Sequence, residues 1–177
     1  MHERIIFAGS GGQGVMTLGK VLARAAMVRD LHCTYLPSYG TEVRGGTANC
    51  QVTIADEAIY SPLVEEADTL FAMNEPSYKR FRPRLRSDGL LVINTSMATP
   101  EPETDSDAVA VPATEIASDL GDVRVANVVM LGAYNRRRRL VPDDLLFEQV
   151  SHAFGGLTGR LLDLNKAAFA AGADRTA

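Results

Sequence analysis

Cysteine is scarce in this chain: Cys33 and Cys50 are the only two among 177 residues. Two thiolates do not hold an iron–sulfur cluster, which is ordinarily ligated by four. No cysteine-pair or H-E-x-x-H pattern of a zinc site is present. Both cysteines fall in strand-like contexts and are expected to be buried thiols in a reducing compartment, not a disulfide. Histidine is equally thin, with His2, His32 and His152 far apart in sequence. No apolar run approaches the twenty residues or so of a membrane span. Met1-His2-Glu3-Arg4 leads into a strand without a signal peptide. Together these predict a cytoplasmic protein without membrane contact. The formal net charge of −4 gives no general basis for binding nucleic acid. The run Arg136-Arg137-Arg138-Arg139 is the exception. It reads either as a solvated helix end that complements the C-terminal dipole or as a contact for an acidic patch on a partner subunit. The nucleophile elbow G-x-S-x-G and the Walker loop G-x-x-x-x-G-K-[ST] are also missing. Redox centres, where this chain serves redox chemistry, lie on other chains.

What is present begins with glycine. Gly9-Ser10-Gly11-Gly12-Gln13-Gly14 follows the apolar run Ile5-Ile6-Phe7-Ala8 and precedes a helical pattern that ends near Arg29. Strand, glycine turn and helix start make a phosphate site. Glycine lets the backbone turn tightly and approach an anion, and the helix start offers unpaired N–H groups. Gly9, Gly11 and Gly14 fit G-x-G-x-x-G. Gln13 at the helix entrance reads either as a ligand contact or as a cap for a backbone group.

Hydrophobic residues make up 46% of the chain, enough for one α/β domain over residues 1–177. Strands are expected at 4–8, 32–36, 48–55, 69–73, 90–94 and 108–111. Helices are expected up to Arg29 and over 76–85, 114–120, 125–134, 142–154 and 157–171, the last ending near Gly172. The strand over 48–55 alternates Ala48, Cys50, Val52 and Ile54 with Asn49, Gln51 and Thr53, and so reads as half-buried. Ser87-Asp88-Gly89 reads as a turn, Thr99 to Asp107 as a surface loop, and Thr114 as a helix N-cap. The fold class is α/β, a Rossmann-like doubly wound and mostly parallel sheet. A hairpin-like element follows the second strand, and the C-terminal third is helical.

A dinucleotide fold needs an acidic residue at the end of strand two to hold ribose hydroxyls. Leu36-Pro37-Ser38-Tyr39 has none there, which disfavours a nicotinamide or flavin dinucleotide. A second glycine-rich segment, Ser38 to Asn49, should lie at the carboxyl end of the sheet with the first. Arg44 offers an anion fork, Glu42 its partner, Ser38 and Tyr39 hydroxyl donors, and Gly45-Gly46 bare backbone. A Glu42–Arg44 ion pair that merely fixes the loop is the simpler alternative. Asn74 ends a strand on the same rim, as a site residue or a helix cap, and Asn127 is a further candidate.

The two glycine segments together resemble the gamma subunit, or gamma domain, of the 2-oxoacid:ferredoxin oxidoreductases. That domain opens with a strand and G-x-G-G-Q-G, here Gly9 to Gly14. It continues with S-Y-G-x-E-x-R-G-G before a strand, here Ser38 to Gly46, without departure at the fixed positions. Phe71 to Ser77, Val111 to Ala117 and Ala126 to Ala133 extend the resemblance to about residues 4 to 170. It implies a subunit of an enzyme, most like the 2-oxoglutarate type, that makes acyl-coenzyme A, carbon dioxide and reduced ferredoxin. Thiamine diphosphate, Mg²⁺ and iron–sulfur clusters would sit on alpha, beta and ferredoxin-like delta partners, with ferredoxin as acceptor and no activity in this chain alone. Its own share would be coenzyme A handling and assembly. Gly9, Gly11, Gly12, Gln13, Gly14, Ser38, Tyr39, Glu42, Arg44, Gly45, Gly46 and Asn74 would form the cofactor-binding set. The alternatives are an indolepyruvate or branched-chain member, or a non-catalytic nucleotide-binding assembly module.

Overall fold

A computed structural model describes residues 1–38 and 47–175. Six strands form one sheet in the order β2-β3-β1-β4-β5-β6, with β1 at His2–Ser10, β2 at His32–Ser38, β3 at Thr47–Ala55, β4 at Ala67–Ala72, β5 at Leu85–Asn94 and β6 at Val109–Val111. β1, β4, β5 and β6 run parallel, while β3 is antiparallel to both β1 and β2. Five strands therefore point their carboxyl ends to one rim, and β3 alone points the other way. The helices are α1 (Val15–Val28), α2 (Glu75–Phe81), α3 (Ala113–Asp119), α4 (Ala126–Arg138), α5 (Asp143–Ala153) and α6 (Gly159–Asp174). This is the α/β architecture expected.

The period-two pattern of β1 divides the core. Ile5 and Phe7 point to one face, packed with residues of α1 and α4. Ile6 and Ala8 point to the other, where Tyr78 and Phe81 of α2 cover them. Phe7 stacks on Phe71 of β4 at 4.4 Å between ring centroids, and Phe71 meets Tyr134 of α4 at 5.0 Å. α4 is buried from Ala126 through Asn135, as its continuous apolar sequence predicts. α6 rests on it without side chains between. A Cβ on Gly132 would stand 2.0 Å from the Phe169 carbonyl oxygen, and one on Gly172 would stand 1.8 Å from that of Val129.

Several local expectations need correction. The polar face of β3 is buried too, and at Gln51 the segment 56–66 reaches it, where the Val64 N–H donates to Oε1 at 2.7 Å. Thr114 is not the cap of α3. Asn94, at the end of β5, reaches across and accepts from the N–H groups of Ala113 and Thr114 at 3.0 and 3.4 Å. Ser87-Asp88-Gly89 lies within β5, where the register with β4 shifts. α2 stops at Phe81 and gives way to a 3₁₀ turn, Arg82–Arg84, around Pro83, which has no N–H to continue the ladder. Gly172 is inside α6, not at its end, since close packing on α4 requires it there.

The 99–107 loop is pinned by Asp105. Tyr78 donates its hydroxyl to that carboxylate, Arg82 pairs with it at 2.6 Å, and the Glu101 N–H donates at 3.2 Å. Burial pushes the carboxyl up, but these three donors outweigh it and hold Asp105 below the ordinary aspartate range.

Two predictions follow from this packing. Gly172→Ala should destabilise the chain by about 3 kcal/mol through backbone overpacking, measured by denaturant unfolding; an unchanged midpoint would mean that α4 and α6 are not in contact. Because the Asp105 carboxyl is depressed in the folded state, its stabilisation is complete above the ordinary aspartate value and fades as pH falls through the lowered one. The melting temperature should therefore drop on acidification below about pH 4, and less steeply in Asp105→Asn than in the wild type. Equal acid slopes would assign the effect to other carboxylates.

Candidate functional site

The loop between β1 and α1 sits where the chain's connections reverse direction. From β1 the chain goes outward to β2, and from β4 it goes the opposite way to β5 and β6. Ligands of open α/β sheets bind at such switch points, beyond the carboxyl ends of strands. The Gln13 N–H donates to the Ser10 carbonyl at 3.2 Å and closes the turn. Gly12 and Gly14 then take φ of +90° and +73°, the left-handed region that disfavours a side chain. Gly14 caps α1 with its backbone alone. Among the described residues no side chain bonds the helix start, and no acid lies in the first turn, so the first N–H groups of this fourteen-residue helix have no partner among them.

Gln13 is engaged by the protein at both ends of its amide. Oε1 accepts from the Ser10 N–H at 2.7 Å and from Asn74 Nδ2 at 2.9 Å, while Nε2 donates to the Met73 carbonyl at 3.3 Å. Asn74 Nδ2 also donates to Ser10 Oγ at 2.7 Å. Its Oδ1 accepts from the Ser77 N–H at 3.0 Å and caps α2. Asn74 is thus a helix cap and a brace for the loop at once. Gly9 makes room for this brace, because a Cβ there would lie 2.8 Å from Gln13 Oε1. Gly11 and Gly12 are exposed, and the place of a Cβ on Gly12 is open space.

Asn127, at the start of α4, adds a donor. It is 3% exposed, its Oδ1 accepts from the Val128 N–H at 2.8 Å, and its Nδ2 lies against Gly14. Among the described residues no acceptor faces that Nδ2. Met97, half exposed, touches Gln13 Nε2 with its sulfur and gives the loop an apolar flank. Linear sequence carries no signal for Met97, since the contact joins residues far apart in the chain.

Ser38 pairs with Asn49, which pairs with Ala8, and Thr47 pairs with Ser10. Both ends of the second glycine segment therefore stand on the carboxyl rim beside the loop. They arrive there through an antiparallel hairpin, not through a parallel strand. Tyr39, Glu42, Arg44, Gly45 and Gly46 lie outside the described residues. Because β3 stands between β1 and β2, the end of β2 is a strand further from the loop than a dinucleotide's ribose acid would be.

Other chemistry is limited. Cys33 and Cys50 are free thiols, both pushed up by burial, Cys50 to about 12. Neither has the character of a nucleophilic thiolate. Among the described residues no group of three or more His, Cys, Asp or Glu is placed to hold a metal ion. Among the described residues no helix is long and apolar enough to cross a membrane.

Known proteins are similar to this chain in sequence and fold. Ketoisovalerate oxidoreductase subunit VorA of Methanothermobacter marburgensis is 37% identical over 97% of this chain and 36% of its own length. The chain thus spans about a third of the VorA relatives that it matches. 2-Oxoglutarate synthase subunit KorC of Methanocaldococcus jannaschii is 33% identical over 80% of this chain and 78% of its own length. Among solved structures, the gamma subunit of a keto/oxoacid ferredoxin oxidoreductase from Geobacter sulfurreducens superposes with a TM-score of 0.83 at 27% identity, covering 98% of both chains. The 2-oxoglutarate:ferredoxin oxidoreductase of Magnetococcus marinus, solved with 2-oxoglutarate, coenzyme A and succinyl-CoA, has a TM-score of 0.87 at 25% identity over 99% of this chain and 31% of its own. With a family match through residues 4–175 and a fold shared end to end with a solved gamma subunit, this chain belongs to the pyruvate ferredoxin/flavodoxin oxidoreductase family and is of the gamma-subunit type.

Proposed function

We propose that the chain works as the gamma subunit of a cytoplasmic 2-oxoacid:ferredoxin oxidoreductase and that its α1 loop receives coenzyme A. Such an enzyme turns a 2-oxoacid and coenzyme A into acyl-coenzyme A and carbon dioxide, releasing a proton and passing a pair of electrons to ferredoxin. Thiamine diphosphate with Mg²⁺ supplies the decarboxylation chemistry and iron–sulfur clusters carry the electrons, all on alpha, beta and delta partner subunits. The observation that carries this reading is the α1 start at the switch point, which no side chain among the described residues caps, with Asn127 Nδ2 beside it and no acceptor for that group among the described residues.

Coenzyme A carries a pyrophosphate and a 3′-phosphate, and the residues present suit them. Gly11 and Gly12 are exposed beside the α1 start, and backbone N–H groups at such a helix start favour an oxyanion. The open space around Gly12 lets an anion reach the backbone. Asn127 donates from the α4 side. Gln13 and Asn74 act one step back, holding the turn so that these donors stay open. The family resemblance assigns further contacts to Ser38, whose strand ends on this rim, and to Tyr39, Glu42, Arg44, Gly45 and Gly46, which lie outside the described residues. Arg44 pairs with a phosphate or with the subunit junction. Holding the nucleotide end fixes the thiol's reach toward the reacting acyl group on the partner, which is how remote binding assists a transfer step.

For the 2-oxoacid we favour 2-oxoglutarate, supported by the match to KorC over most of that subunit's length. The VorA match, which covers nearly all of this chain, favours ketoisovalerate as the second reading. Rates of the assembled complex on 2-oxoglutarate, ketoisovalerate, pyruvate and indolepyruvate decide between them. The chain purified alone should oxidise none of the four and show no visible cluster absorbance; turnover by the lone chain would overturn the subunit reading.

Gly12→Asp tests the loop itself. It sets a carboxylate at the loop mouth without filling occupied space, and Gly12→Ala, which carries the same left-handed strain without the charge, is its control. In the assembled complex Gly12→Asp should raise KM for coenzyme A about tenfold or more by like-charge repulsion, with KM for the 2-oxoacid unchanged. Asn127→Ala should act in the same direction and more weakly. If neither substitution moves the coenzyme A KM, the loop does not hold this ligand.

A further inference from the structure

The segment between β3 and β4, residues 56–66, has no regular structure yet is firmly tied down at its far end. Val64 is fully buried and its N–H donates to Gln51 Oε1. Arg84 donates to the Val64 carbonyl and, at 3.3 Å, to that of Glu65. From this anchor the chain holds Tyr60 97% exposed and Leu63 54% exposed, with Pro62 between them. Both line an open hollow of about 540 Å³ together with Ile59 and Met1. Asp56, Glu57, Glu65 and Glu66 flank these apolar groups; Asp56 pairs with the Met1 amine, and His2 and Arg4 also line the hollow, but Arg4 is paired with Asp68, so the arm keeps a net acidic margin at Glu57, Glu65 and Glu66.

We propose that this arm is a docking surface whose occupant is another subunit of the same complex, one presenting an apolar pocket ringed by lysine or arginine. The proposal rests on the multi-subunit reading above. Tyrosine is enriched among residues that dominate interface energies, and an acid rim around an apolar centre calls for a basic rim around an apolar pocket. Ordering before binding reduces the entropic cost of association. The arm's position agrees. Ala55 pairs with His2 and His32, so the arm leaves the sheet at the rim opposite the glycine loop, about 26 Å away along β1. It therefore serves assembly separately from coenzyme A. The longer relatives supply the reason for such a surface. There this domain accounts for 36% and 31% of the chain, and the remainder is polypeptide that must pack near it.

The test uses the complex produced by co-expression with its alpha, beta and delta subunits and purified through a tag on this chain. A photo-crosslinking amino acid at position 60 should join the arm to one peptide of another subunit, identified by mass spectrometry, with Lys or Arg beside apolar residues. Tyr60→Ala combined with Leu63→Ala should lower the retained partner about tenfold, while Tyr60→Phe retains it. The melting temperature of the doubly substituted chain should stay within about 2 °C of wild type, since both side chains are exposed. Crosslinks to a second copy of this chain, or full retention of partners by the double variant, would overturn the proposal and leave the assembly reading standing. If the wild-type chain retains no partner at all, the assembly reading fails and the docking surface fails with it.

Discussion

The functional rim depends on where one amide points. Gln13 sits at the entrance of α1, where a polar side chain would ordinarily turn back and cap the helix. Instead its Oε1 is taken by the Ser10 N–H and by Asn74, and its Nε2 by the Met73 carbonyl. The Gln13 side chain therefore leaves the N–H groups and partial positive charge of the helix start clear. Gly9 makes space for the amide, and Gly14 supplies a left-handed turn without a side chain. Asn74 ties the arrangement to the start of α2, so the loop is braced by two strands at once.

The same economy of side chains governs the scaffold behind the loop. α4 delivers Asn127 to Gly14 at its amino end because the helix is buried along most of its length and held on both flanks. On one side are the aromatic contacts through Phe71 and Tyr134, and on the other the backbone contact with α6 at Gly132 and Gly172. A helix so confined has little freedom to tilt. The donor at its first turn is then fixed relative to the α1 start. The opposite rim carries the arm and the arginine-rich end of α4. The proposed ligand site and the proposed docking arm thus stand at opposite ends of one sheet.

Much of this was legible in the sequence where the signal is local. The change from alternating to helical periodicity across Gly9 to Gly14 marks β1, the turn and α1, and the missing acid after Leu36 tells against a dinucleotide. The faces of β3 followed from alternation, although burial of its polar face did not. That depends on Val64 finding Gln51 across an irregular segment. Gln13 was ambiguous because its partner, Asn74, is sixty-one residues away. Asn94 as the cap of α3 was hidden for the same reason, and Thr114 offered a plausible local substitute. Gly172 read as a helix end because glycine breaks helices in isolation, whereas here it permits two helices to touch. The family-like segment Tyr39 to Gly46 falls outside the described residues, so only its anchors, Ser38 and Thr47, tie it to the rim.

The central claim is that the α1 loop holds coenzyme A through backbone N–H groups. Hydrogen–deuterium exchange of the assembled complex, with and without coenzyme A, measures those groups directly. The account predicts slower exchange over Gly11 to Thr17 and at the start of α4 when coenzyme A is added, with the arm at 56–66 unaffected. Protection confined to other subunits, with this loop exchanging as before, would contradict it.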